Sequence, residues 1–261
     1  MIFLKTPEQI DVMHEANLIV HAVLDEAENK VEAGMSTQEL NDIMATKMSE
    51  YPGATSAFKG YKGYPDVSCI SVNDEVVHGI PSERMIVPGD IVSVDFGVYY
   101  KGMAGDSART FIVGKVEPAV AELVEITRQG LWAGIEKLVP GNRLHDVGAA
   151  IDAVARKHKY GNVRGFCGHG IGTKMHEPPN VFNYVEPRQP NVRLRSGMVF
   201  ALEPMFNIGG SDVLMCDDGW TIITKDQSKS CHWELSVAIT EEGPRVLGDA
   251  RPYQRTVQSI A

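Results

Sequence analysis

At 261 residues the chain is long enough to bury one large core without disulfide or metal staples. Its 43% apolar and 23% charged residues fall near the globular average, which excludes a disordered chain, and no apolar run approaches the ~20 residues that cross a bilayer. The 25 basic against 34 acidic side chains leave a formal charge of −9, a field that repels nucleic acid and anionic membranes and welcomes cations.

The opening MIFLKTPEQI has no charged leader before a long apolar segment, so a cytoplasmic protein is expected. Thr6-Pro7-Glu8-Gln9 predicts a helix start, with Thr6 as N-cap, Pro7 in the first turn and Gln9 closing a capping box. Ile10, Met13, Asn17, Val20, Leu24 and Ala27 continue a mostly apolar stripe at helical spacing as far as Gly34. Ser36-Thr37-Gln38-Glu39 starts a second helix that runs to Pro52-Gly53. Strand patterns follow at Ser68 to Val72, Ile91 to Val98 and Arg109 to Val113. A helix from Pro118 to Val139, a break at Pro140-Gly141, a helix from Leu144 to His158 and further strands repeat that order.

The repeat is matched by its glycines. Gly34 and Gly141 each precede the second helix of their half, while Gly89 in GDIVSVD and Gly197 in GMVFALE each open a strand that ends in a carboxylate. From 34 to 89 is 55 residues and from 141 to 197 is 56, which suggests an internal duplication with halves of about 1–115 and 116–250. Two such halves with paired sheets would bring Asp95 and Glu203 together across a pseudo-twofold axis under a cover of helices. No low-complexity linker parts them, so one domain over 1–261 is expected. Cysteines 69, 167, 216 and 231 show no CxxC spacing, which fits reduced thiols.

Alternation places Asp95 on the face of its strand opposite Val92 and Val94, and a hairpin would set Asp106 beside it. Two close carboxylates need a cation or a shared proton. His169 in CGHGIG is flanked by glycines that leave room for a ligand, and His176 follows seven residues later. Glu203 in FALEPM and Glu234 in HWELSVAI are acids inside apolar runs, where an unpaired charge is costly. Together the four acids and His169 form an oxygen-rich set suited to Mn²⁺, Fe²⁺, Co²⁺ or Zn²⁺, and two divalent ions would balance the acids' charge.

The motifs GHGIG, SVDFG, AGDSART, ALEPM and VNDEVVHGIP, in this order and spacing, resemble the type I methionine aminopeptidases over essentially the whole chain. The resemblance implies an α+β pita-bread fold, two pseudo-symmetric halves whose antiparallel sheet is covered by helices. It implies removal of the initiator methionine from N-terminal methionyl peptides and nascent chains when the second residue is small. It makes Asp95, Asp106, His169, Glu203 and Glu234 the ligands of two divalent metal ions, with Glu203 also a proton carrier. His78 and His176 become the imidazoles that touch the substrate amide and carbonyl. Phe58, Tyr61, Tyr64, Cys69, Met175 and Trp220 become the methionine pocket, an aromatic and sulfur lining suited to a thioether. Backbone near Asn73, Glu75 and Ser230 corresponds to a monovalent-cation site. A monomer that meets its substrates at the ribosome, without membrane or direct nucleic-acid recognition, completes the expectation.

Three positions depart from that pattern. Phe58 stands where a smaller residue is frequent, Met175 where phenylalanine is, and Leu235 follows Glu234 where histidine is common. Two other readings share the fold: an X-Pro aminopeptidase or dipeptidase, whose kind generally carries an extra N-terminal domain, and a non-catalytic binding module, whose kind loses metal ligands. The 26 residues between His176 and Glu203 leave no room for the helical insertion of the type II enzymes.

Overall fold

In the computed structural model, residues 2–255 and the backbone of 259–260 are described; Met1, residues 256–258 and Ala261, part of the expected 1–261 domain, lie outside them. Helix α1 (Pro7–Lys30) begins as its capping box predicts: the Gln9 amide donates to Thr6 Oγ1 and the Thr6 amide to Gln9 Oε1. Helix α2 (Thr37–Ser49) repeats the device with Ser36 and Glu39. Strands β1 (Thr55–Ser56), β2 (Ser68–Val72) and β3 (Glu75–Val77) lead to a long hairpin of β4 (Ile91–Tyr100) and β5 (Met103–Val113).

Helices α3 (Pro118–Ile135) and α4 (Leu144–His158) follow, α3 ending four residues short of Val139. Short strands come next: β6 (Gly161–Asn162), β7 (Gly168–Gly170), β8 (Glu177–Val181), β9 (Val199–Leu202) and β10 (Met205–Asn207). The chain continues through β11 (Val213–Met215), β12 (Ile222–Thr224), β13 (Ser230–His232), β14 (Glu234–Thr240) and β15 (Gly243–Val246). Helix α5 (Arg251–Gln254) and β16 (Ser259–Ile260) complete the order.

The main sheet has the order β1-β4-β5-β14-β9-β7-β8, with β5 and β14 side by side at its centre. Its strands are antiparallel apart from β16, which runs parallel along β5. One face is covered by helices. Val20, Val23 and Leu24 of α1 and Leu40 and Met44 of α2 pack with Val92, Val94, Phe96 and Val98 of β4. Leu123, Leu131 and Ile135 of α3 and Val147 and Ile151 of α4 pack with Phe200, Leu202, Leu235 and Val237. Each apolar side chain withdrawn from water in this way contributes about 1.5–3 kcal/mol, so burial of this face is what holds the sheet's other face in place. All four cysteines are free, and no described helix is long and apolar enough to cross a membrane.

The polar exception in the α1 stripe has a partner. Buried Asn17 accepts the backbone N–H of Asp106 on its amide oxygen at 3.2 Å, fastening β5 to the helix beside that carboxylate.

Candidate metal centre and substrate cavity

Five neighbouring strands each deliver one of the five predicted ligands: Asp95 from β4, Asp106 from β5, Glu234 from β14, Glu203 at the end of β9 and His169 from β7. Register explains the convergence. Ala108 pairs with Asp95 on one side and with Glu234 on the other, so these two acids share a row on one face. Asp106 lies opposite Gly97 and thus on the same face two residues along, because side chains alternate. The Leu235–Leu202 pairing sets Glu203 next to Glu234. One expectation needs correction: Asp106 lies within β5 rather than ahead of a strand. Asp95 and Glu203 sit on strands that flank the central β5–β14 pair.

Ligand atoms of Asp106, His169 and Glu234 lie within 4.8 Å of one another. His169 Nε2 is 3.8 Å from Asp106 Oδ2 and 3.7 Å from Glu203 Oε1. His169 Nδ1 and the Gly170 carbonyl are 2.9 Å apart; if Nδ1 carries the ring proton, that contact orients the imidazole and leaves Nε2 toward the acids. Burial raises every carboxyl of the set: Asp95 to about 8, Asp106 well up with help from Asp95 and Glu203, and Glu203 and Glu234 likewise through their acidic neighbours. Burial and then His176 push His169 down to about 3, which keeps it a neutral donor. Asp95 Oδ1, Asp106 Oδ1 and Glu234 Oε1 are buried and have no hydrogen-bond partner among the described residues. Orphaned oxygens on three acids, beside Glu203 and the His169 imidazole, fit divalent cations.

The ligands form the floor of a cavity whose walls hold Phe58, Tyr61, Tyr64, Cys69, His78, His176 and Trp220. Cys69 is the β2 partner of Asp95. Tyr64 Oη lies 3.0 and 2.9 Å from the carbonyls of Ser68 and Gly79, and its ring meets Trp220 edge-on at 5.1 Å. Pairing of Val77 with Ile222 brings the residues beyond β3 and ahead of β12 together, so His78 stands 6.4 Å from Trp220 and 5.8 Å from Phe166. His78 holds φ +62, a left-handed conformation that non-glycine residues keep only where their surroundings over-determine it. His176 stacks on Tyr61 at 5.2 Å and lies 4.1 Å from the His169 ring.

Met175 does not line this cavity. It is buried behind it among Phe58, Ala57, Met103 and Ile171, with its amide donating to Tyr99 Oη. At the expected monovalent site the Ser230 amide donates to the Asn73 carbonyl at 2.8 Å, Glu75 Oε2 accepts the Val72 amide, and Lys229 Nζ reaches Asn73 Oδ1. One wall residue went unforeseen: Lys62, from a 3₁₀ turn over Tyr61–Gly63. An exposed lysine between two tyrosines carries no sequence signal that separates it from ordinary surface charge.

Residues 11–241 match the family described as metallopeptidase family M24. The chain belongs to this family. A methionine aminopeptidase of Aquifex aeolicus is 44% identical over 252 residues, covering 94% of this chain and 97% of that protein. The crystal structure of a methionine aminopeptidase from Thermotoga maritima superposes with a TM-score of 0.91 at 39% identity, covering 95% of this chain and 99% of that one. The pita-bread, α+β expectation therefore holds. A prolidase from Pyrococcus horikoshii shares the fold at a TM-score of 0.77 and 23% identity, with 94% of this chain aligned to 63% of that one. An M24 metallopeptidase requires a divalent-metal site, and the Asp106, His169 and Glu234 cluster meets that requirement.

Proposed function

We propose that this chain removes the initiator methionine from nascent proteins when the second residue is small. What carries the reading is the joining of two things in one cavity: five metal-suited side chains on the floor and an aromatic, thiol-bearing wall. The relatives' name, held at 44% identity over nearly the full chain, points the same way.

Asp95, Asp106, His169, Glu203 and Glu234 would hold two divalent ions drawn from Co, Mn, Fe or Zn. When bound, such ions polarise a carbonyl and make a water acidic enough to attack it near neutral pH. Glu203 takes the proton released in the attack and passes it to the departing amine. His176, facing the floor from the mouth, donates to the oxyanion that grows on the scissile carbonyl, and His78 holds the scissile amide in line. Phe58, Tyr61, Tyr64, Cys69 and Trp220 bind the methionine side chain, with Met175 supporting them from behind.

The halves about 1–115 and 116–250 act as one duplicated unit within a single domain. Support comes from their matched glycines, which all hold positive φ: Gly34 at +96°, Gly141 at +98°, Gly89 at +99° and Gly197 at +86°. The enzyme works as a monomer on methionyl peptides and on chains emerging from the ribosome, in a reducing cytoplasm where its four thiols stay free. A monovalent cation near Asn73, Glu75 and Ser230 would serve structure.

Elemental analysis together with hydrolysis of Met-Ala-Ser, Leu-Ala-Ser, Met-Lys-Ser and Met-Pro-Ser tests the reading. Two bound metals and fast release of methionine from Met-Ala-Ser alone or with Met-Pro-Ser support it. Equal rates on Leu-Ala-Ser or Met-Lys-Ser refute the pocket, and metal without hydrolysis marks a binding module.

A further inference from the structure

Among the residues lining the cavity, two are exposed: Lys62 and His176. They mark its mouth, opposite the carboxylates of the floor, of which Asp106 and Glu234 are buried. Lys62 is set there by its backbone, which holds φ 49 and ψ 23 between the left-handed Gly60 and Gly63. Its ammonium stands 5.4 Å from the Tyr61 ring centroid, the same ring that stacks on His176. Among the described residues it has no acidic partner, although the chain carries more acids than bases.

We infer that Lys62 is a specificity-determining residue that reads the charge of the substrate's third residue, favouring an acidic side chain and disfavouring a basic one. The inference rests on the methionine-removing reading above. With the methionine against the inner wall and the scissile bond between His78 and His176, the rest of the peptide leaves through the mouth past Lys62. The second residue is restricted to small side chains, so the third is the first that can present a charge there. An extended chain advances about 3.3 Å per residue, which keeps that side chain within reach of a lysine at the rim.

The test uses metal-loaded full-length enzyme and three peptides, Met-Ala-Asp-Ser, Met-Ala-Ala-Ser and Met-Ala-Lys-Ser, at low and high ionic strength. Each kcat/KM is divided by that enzyme's own value for Met-Ala-Ala-Ser, so a general loss of activity cancels. Wild type is expected to favour the Asp over the Lys peptide by about fivefold at low salt, the scale of an exposed charge pair, and less at high salt. Lys62→Met should bring the ratio near one, Lys62→Glu should invert it and Lys62→Arg should retain it. A wild-type ratio near one, or a ratio that survives in Lys62→Met, overturns the proposal while leaving the methionine reading intact. Failure to cleave any of the three peptides overturns that reading and the proposal with it.

Discussion

Lys5→Met should lower stability sharply and disturb the loop that carries His176. Lys5 Nζ meets Glu177 Oε2 at 2.6 Å, with side chains only 6% and 4% exposed, and it also donates to the Phe3 carbonyl at 3.1 Å. The fit is close: a Cβ added at Gly172 would overlap Lys5 Cε and stand 2.6 Å from Glu177 Oε1. Burial alone would raise the Glu177 carboxyl, but the Lys5 hydrogen bond and charge, with the Lys174 and Thr173 amides, hold it below its ordinary value of 4.5. Removing one partner of such a pair costs about 3–5 kcal/mol, which for a chain of this length lowers Tm by roughly 6–20 °C. The sign with pH follows from the depressed carboxyl. Its stabilisation is complete above about pH 5 and fades as the pH falls through the folded-state value, so the gap between wild type and Lys5→Met should narrow in acid. Lys5→Met combined with Glu177→Gln leaves no buried charge and keeps an oxygen for the Lys174 amide and Thr173 hydroxyl, so it should cost less than Lys5→Met alone. Thermal unfolding of all three proteins from pH 7 to pH 4 checks this. A Tm drop below about 2 °C in Lys5→Met, or a double variant weaker than the single, would refute the reasoning.

Asp106→Asn should lose bound metal and at least about 100-fold in turnover, since a carboxylate whose buried Oδ1 has no hydrogen-bond partner among the described residues is replaced by a weaker donor; elemental analysis beside kcat decides it. His176→Ala should keep its metal yet lose ~10²–10³ in kcat, and metal loss in that protein would mean His176 is itself a ligand. Gly97→Ala places a Cβ against the Met175 methyl, 2.8 Å from Phe58 Cε1 and 3.1 Å from Asp106 Oδ1, so bound metal is measured beside KM to separate the pocket wall from the carboxylate. Its expected effect is a KM for methionyl peptides raised about tenfold, with a stability loss near 1–3 kcal/mol, and an unchanged KM would count against Phe58 as a wall of the methionine pocket.

Local chemistry was the legible part of the fold. The capping boxes of α1 and α2 and the helix α4 are written in neighbouring residues, and they stand where the pattern puts them. Strand β5 begins at Met103, six residues before the predicted Arg109, because Ala104, Gly105, Asp106 and Ser107 are poor strand formers that β4 and β14 recruit through pairing. The ligand set could be named because acids inside apolar runs demand compensation. Its spatial order could not, since β14 enters beside β5 through pairs such as Glu234 with Ala108 that are more than a hundred residues apart in sequence. Lys5 and Glu177 are separated by 172 positions, and no local pattern connects them.

The centre of the main sheet is also the last of its ligand-bearing strands to be synthesised. Asp95 and Asp106 arrive on one hairpin, His169 and Glu203 follow, and β14 with Glu234 is then inserted between strands already made. The five-residue set is therefore incomplete until β14 has been made, so the site depends on a segment close to the end of the chain and cannot be assembled from the hairpin and β7–β9 alone.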